Sequence, residues 1–153
     1  LAKSATPGIT ESDHSYKLQF SYNWLRWELR AAYTELGEGF NPEVGFLQRS
    51  AFRKPEFFIQ HRWRPDNLLN LMELRPHISF RQYSDFKGNL VTSYLHIDNH
   101  WVWKSGLEIH TGINYTTEGV VQDFNLSGVL VPKSTYKHNE MQVVMITTHQ
   151  SIM

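Results

Sequence analysis

The stretch Leu90-Val91-Thr92-Ser93-Tyr94-Leu95-His96-Ile97-Asp98-Asn99-His100-Trp101-Val102-Trp103 decides the fold. Its odd positions are Val91, Ser93, Leu95, Ile97, Asn99, Trp101 and Trp103. Its even positions are Leu90, Thr92, Tyr94, His96, Asp98, His100 and Val102. One set is mostly apolar and the other mostly polar, at period two, which is a strand with two unlike faces. On a helix Trp101, Trp103, Ile97 and His96 would scatter around the cylinder.

The next stretch repeats the pattern. Leu107, Ile109, Thr111, Ile113 and Tyr115 share one face, and Glu108, His110, Gly112, Asn114 and Thr116 the other. Between the two lies Lys104-Ser105-Gly106, a three-residue hairpin connection with glycine where a left-handed backbone is needed. A three-residue loop sets Trp103 opposite Leu107 and keeps the apolar faces together. A two-residue loop would mix the faces.

Working outward, Leu74, Ile78 and Phe80 alternate with Glu73, Arg75, His77, Ser79 and Arg81, ahead of a turn over Ser84–Asn89. Pro76 on this strand removes one ladder donor. Tyr16, Leu18, Phe20 and Tyr22 alternate with Lys17, Gln19 and Ser21. Trp27, Leu29, Ala31 and Tyr33, then Phe57, Ile59, His61 and Trp63, continue the rule. Phe124–Val131 and Glu140–Thr148 read as the last strands. The expected fold is all-β, with seven or eight antiparallel up-and-down strands forming a single segment over residues 1–153. Its longer connections are Gly37–Phe46 and Thr116–Asp123.

Composition narrows the class. Lys+Arg and Asp+Glu are 15 each, so the formal net charge is zero and no basic footprint invites nucleic acid. There is no cysteine, which excludes disulfides, thiolate metal sites and cysteine nucleophiles. Aromatics reach 14%, with 5 Trp, 7 Tyr and 9 Phe, a richness that suits strands and the aromatic girdles of membrane barrels. The mean hydropathy is negative, as expected where faces alternate. No apolar run is long enough for a transmembrane helix, and Leu1–Gly8 has no signal-peptide core. Without an initial Met, the chain reads as a processed product or as a piece of a longer protein.

Periodicity leaves open which face is wet. A membrane barrel turns its apolar face to lipid and its polar face to the lumen. A soluble sandwich or small barrel does the reverse, and could bind a carbohydrate or other small ligand through its aromatic face.

The segment Trp24-Leu25-Arg26-Trp27-Glu28-Leu29, followed by Gly37-Glu38-Gly39-Phe40-Asn41-Pro42-Glu43-Val44-Gly45-Phe46-Leu47-Gln48-Arg49, resembles the DUF5916 family of bacterial proteins. That family carries a similar G-x-x-F-N-P-E-x-G-F-x-x-R loop after a Trp-containing strand. Gly128-Val129-Leu130-Val131-Pro132 with Tyr136 fits more loosely. The resemblance implies a partial outer-membrane-type β-barrel in a Gram-negative-type envelope, with the lipid bilayer as partner. It also implies a family 9-like carbohydrate-binding module ahead of the barrel, absent from this chain, so sugar binding falls on no residue here. The end Gln150-Ser151-Ile152-Met153 lacks the aromatic terminus of a complete outer-membrane barrel, which reads as a mid-barrel fragment. Within the loop, Phe40, Asn41, Pro42, Glu43, Gly45 and Phe46 are the residues of interest, foremost as loop packing.

For chemistry, the hairpin register sets His100 opposite His110, with Asp98 and Glu108 two residues away on the same face. Facing residues lie about 5 Å apart at Cβ, so two imidazoles and the Asp98 carboxylate could share an ion. An unligated polar wall is the plainer reading. No nucleophile elbow, phosphate loop, dinucleotide fingerprint or zinc-protease motif is present, so no catalytic residue and no cofactor is assigned. The expected class is a non-enzyme, a metal-dependent hydrolase on the His100/His110 hairpin being the residual alternative. Glu28 with Glu35, or Glu38 with Glu43, would be the candidate glycosidase carboxylates, on no stronger ground than their presence.

Overall fold

The computed structural model describes residues 2–3, 14–41 and 49–147. Ten strands form among the described residues. They are β1 (Ala2–Lys3), β2 (His14–Asn23), β3 (Trp27–Leu36), β4 (Phe52–His61), β5 (Leu71–Ser84), β6 (Leu90–Trp103), β7 (Leu107–Val120), β8 (Phe124–Leu126), β9 (Val129–Val131) and β10 (Ser134–Thr147). One sheet runs β1-β2-β3-β4-β5-β6-β7-β10, every neighbour antiparallel, with β8 and β9 as a separate hairpin. The chain is therefore all-β and up-and-down. No ladder joins β10 back to the first strands among the described residues.

The hairpin β6–β7 keeps the expected register, with His100 opposite His110 and Val102 opposite Glu108. Gly106 takes a φ of 85°, the left-handed value its place in the turn requires. Pro76 stays inside β5, where it faces Asn99 of β6. Its cost falls on the other edge: pairing with β4 stops at Gln60–His77 and returns only as the bridge Trp63–Leu74.

Three expectations are corrected. Phe124–Val131 is no strand of the main sheet, because Ser127 and Gly128 both turn left-handed, at φ 51° and 89°, and fold it into β8–β9. Residues 116–120 belong to β7, so the last long connection begins at Val121. Trp63 lies beyond the end of β4. Thr148 falls outside the described residues.

Few large apolar side chains are shielded. Among the described residues, Leu36, Leu71 and Leu74 are the only large apolar side chains that are buried, whereas Glu35, Glu73, Asp98 and Asn114 are buried polar ones. Phe20 on the apolar face is 61% exposed and Ile97 42%. The chain exposes 11167 Å², against about 8,000 Å² for a compact monomer of its mass. No second sheet covers the apolar face among the described residues.

Connections divide by end. Residues 24–26 and 104–106 are three-residue turns at one end, which also holds the 62–70 connection. The connections between β3 and β4 and between β7 and β10 are longer and leave from the other end, beside the 85–89 turn.

Candidate functional site

The polar faces of β5, β6, β7 and β10 form one continuous wall. Register sets Arg75 opposite His100, His77 opposite Asp98, and Ser79 opposite His96. On the far side of β6, His96 faces Asn114, Asp98 faces Gly112, and His100 faces His110. Beyond these, Gly112 faces Gln142 and Asn114 faces Glu140. Four histidines and Asp98 thus gather on β5, β6 and β7.

Asp98 is the centre of this cluster, its side chain only 2% exposed. Its Oδ2 lies 3.6 Å from His96 Nε2 and 3.5 Å from His100 Nε2. Its Oδ1 has no hydrogen-bond partner. No Lys or Arg pairs with it among the described residues, because Arg75 turns to Glu108 and Glu73. A buried carboxylate without a cation is costly, so the site favours positive charge.

Gly112 makes the room. A Cβ there would lie 3.3 Å from His96 Cε1, 3.4 Å from Asp98 Cγ and 3.2 Å from Gln142 Cγ. A side chain opposite Asp98 would therefore crowd the carboxylate and its histidine neighbour.

The histidines are held differently. His96 Nδ1 bonds Asn114 Oδ1 at 2.6 Å. Asn114 also accepts from Tyr94 Oη at 2.8 Å, and its amide nitrogen donates to Glu140 and Gln142. His77 Nδ1 meets the Arg75 carbonyl at 3.2 Å. The rings of His100 and His110 stack in parallel, centroids 3.6 Å apart and 3° between planes. His110 Nε2 donates to Glu108 Oε1 at 2.8 Å. The His77 ring sits edge-on to His100, at 5.0 Å.

Asp98, His100 and His110 do come together: one ligand atom from each lies within 4.8 Å of the others. A second trio meets the same condition, namely His77, His96 and Asp98. Sequence reasoning placed His77 and His96 on the polar face without joining them to the cluster. The link to His77 needed the β5–β6 register, which a bulge between Tyr83 and Ser84 displaces.

Glu28 and Glu35 do not form a catalytic pair. They point to opposite faces of β3. Glu28 is held by Arg30 and Arg62, and Glu35 by His14, Tyr33 and Arg53. Of the loop motif, Phe40 is half-buried, with its amide donating to the Gly37 carbonyl at 3.2 Å, and Asn41 is exposed. Pro42, Glu43, Gly45 and Phe46 lie outside the described residues.

No family model, curated protein or solved structure matches the chain.

Proposed function

We propose that the chain is a length of outer-membrane-type β-barrel wall. In this arrangement its apolar face contacts lipid and its polar face lines an aqueous lumen. The supporting observation is the inverted burial: Glu73, Asp98 and Asn114 on the polar face are shielded, while Phe20, Phe57, Ile78 and Ile97 on the apolar face are exposed. A contiguous apolar surface of this extent needs a covering, and lipid covers all strands alike.

Strand lengths agree. In the main sheet β2, β3 and β4 have 10 residues each, and β5, β6, β7 and β10 have 14 each. At about 3.3 Å per residue and a tilt near 45°, those lengths cross roughly 23 and 33 Å, bracketing a ~25 Å apolar band.

The outer face has two distinct rims. Trp24, Trp27, Trp63, Trp101 and Trp103 all lie at the short-turn end of their strands. Trp27 pairs with His61, and Trp101 and Trp103 pair with Leu74 and Leu71. This is where an aromatic girdle belongs. At the long-loop end the same face carries His14, Glu35 and Arg53, joined by ion pairs.

The barrel's role is passive, as a conduit or as a scaffold for surface binding. The resemblance of the FNPEVGF loop to DUF5916 makes carbohydrate the first ligand class to try, through a module outside this chain.

Tryptophan quenching by brominated lipids tests the orientation. Bromines near the headgroup end of the acyl chains should quench the reconstituted chain more strongly than bromines at the midplane. Fluorescence indifferent to both would contradict a lipid-facing apolar wall.

A further inference from the structure

We propose that His77, His96 and Asp98 form a three-ligand site for a divalent transition-metal ion, with Zn²⁺ as the model ion. The chemistry of the donors points there. A carbonyl oxygen only accepts, so the contact from His77 Nδ1 to the Arg75 carbonyl places the ring proton on Nδ1. The same holds for His96 Nδ1 on Asn114 Oδ1, whose amide is fixed by its donations to Glu140 and Gln142. Both rings therefore keep Nε2 as a lone pair. Metal-binding histidines are oriented in this way, with the distal N–H anchored to an oxygen and the other nitrogen left for the ion.

Asp98 supplies the charge. It is nearly fully buried, and its Oδ1 is unpartnered among these imidazoles. Adjacent strands place the three ligands: His77 sits directly across from Asp98, and His96 two residues before it on the same face. One donor atom from each side chain lies within 4.8 Å of the others, and His96 Nε2 is 3.6 Å from Asp98 Oδ2. An ion held at about 2.0–2.2 Å from each ligand needs separations somewhat shorter than that, within reach of small side-chain rotations. Gly112 leaves the approach to Asp98 open. Two imidazoles and one carboxylate suit zinc and its first-row neighbours, and leave a coordination position for water or a solute.

The other trio is less prepared. His100 and His110 stack with parallel planes, so their in-plane lone pairs do not converge. His110 Nε2 is also engaged by Glu108. That stack would have to open before both rings could hold one ion.

The test is Zn²⁺ titration of the folded full chain by calorimetry, with Co²⁺ absorption as a report of nitrogen ligation. One ion per chain is expected. His77→Ala and His96→Ala should each weaken binding by at least about 10-fold. Asp98→Asn keeps the shape and removes the charge, and should do the same while circular dichroism shows an intact sheet. His61→Ala, on the opposite face, should leave binding unchanged. Absence of saturable binding overturns the proposal. So does binding indifferent to His77 and His96, or binding lost only when His100 and His110 are replaced.

Discussion

His96 and Asn114 face each other across β6 and β7, and the imidazole Nδ1 meets the amide oxygen at 2.6 Å. Asn114 is 4% exposed and also serves Tyr94, so one amide satisfies several buried groups. Asn114→Ala should leave the Tyr94 hydroxyl and the His96 N–H unpaired. A cost of about 1–3 kcal/mol follows from such orphaned groups. Denaturant unfolding in micelles measures it, and Tyr94→Phe in the same background should recover part of the loss.

Gly119 and Gly88 predict opposite mechanisms for the same substitution. A Cβ on Gly119 would lie 1.9 Å from the Leu90 carbonyl oxygen, so alanine there must push the backbones of β6 and β7 apart. Gly88 has open space but a φ of 85°. Gly88→Ala should cost only the left-handed strain, about 1 kcal/mol. Gly119→Ala should cost more and should raise amide exchange at the Leu90 end of β6. Equal costs would contradict the close approach.

Ile78, Ile97 and Ile113 form a row across β5, β6 and β7 on the apolar face. With the apolar face toward lipid, Ile97→Lys near the midplane should cost roughly 2–4 kcal/mol in bilayers. The same change on an ordinary solvated face would stay within about 0.5 kcal/mol. Reversible unfolding from vesicles separates the two values.

Asp85 organises the turn between β5 and β6. Its carboxylate accepts from the Asn89 side chain and from the Asn89 and Lys87 amides, at 2.7, 2.7 and 2.9 Å. These bonds, the Asn89 side chain first, hold its pKa below the ordinary carboxylate value. A depressed carboxyl stabilises the folded state fully above its unfolded pKa, and that contribution is lost as pH falls through the folded pKa. The turn should therefore keep its full support at neutral pH and lose it only under acid conditions. A carboxyl-carbon NMR titration reads the midpoint directly. A midpoint at or above the ordinary aspartate value would contradict the turn geometry.

The parts of this fold that were legible in the sequence were local. Alternation fixed β6 residue for residue, and Lys104-Ser105-Gly106 fixed the His100–His110 pairing, because a short turn leaves one register that matches the faces. The position of His77 across from Asp98 was not legible. Ser84 pairs with Leu90 but Tyr83 with Thr92, so Val91 is an extra residue that counting along the turn does not reveal. The β8–β9 hairpin was hidden because Phe124-Asn125-Leu126 and Val129-Leu130-Val131 flank a two-residue turn and look continuous. Which face is shielded could not be read from period two at all. It depends on how strands pack side by side, as the burial of Asp98 and the exposure of Ile97 make plain.

The central claim is that the exposed apolar face is covered by lipid. Its most direct test is the folding of the chain with and without detergent micelles, followed by circular dichroism and heat-modifiable gel mobility. A lipid-facing wall predicts β-structure and a compact, heat-sensitive band only when micelles are present. A folded, monodisperse chain in plain buffer would contradict it, because the apolar side chains would then have found their cover within protein.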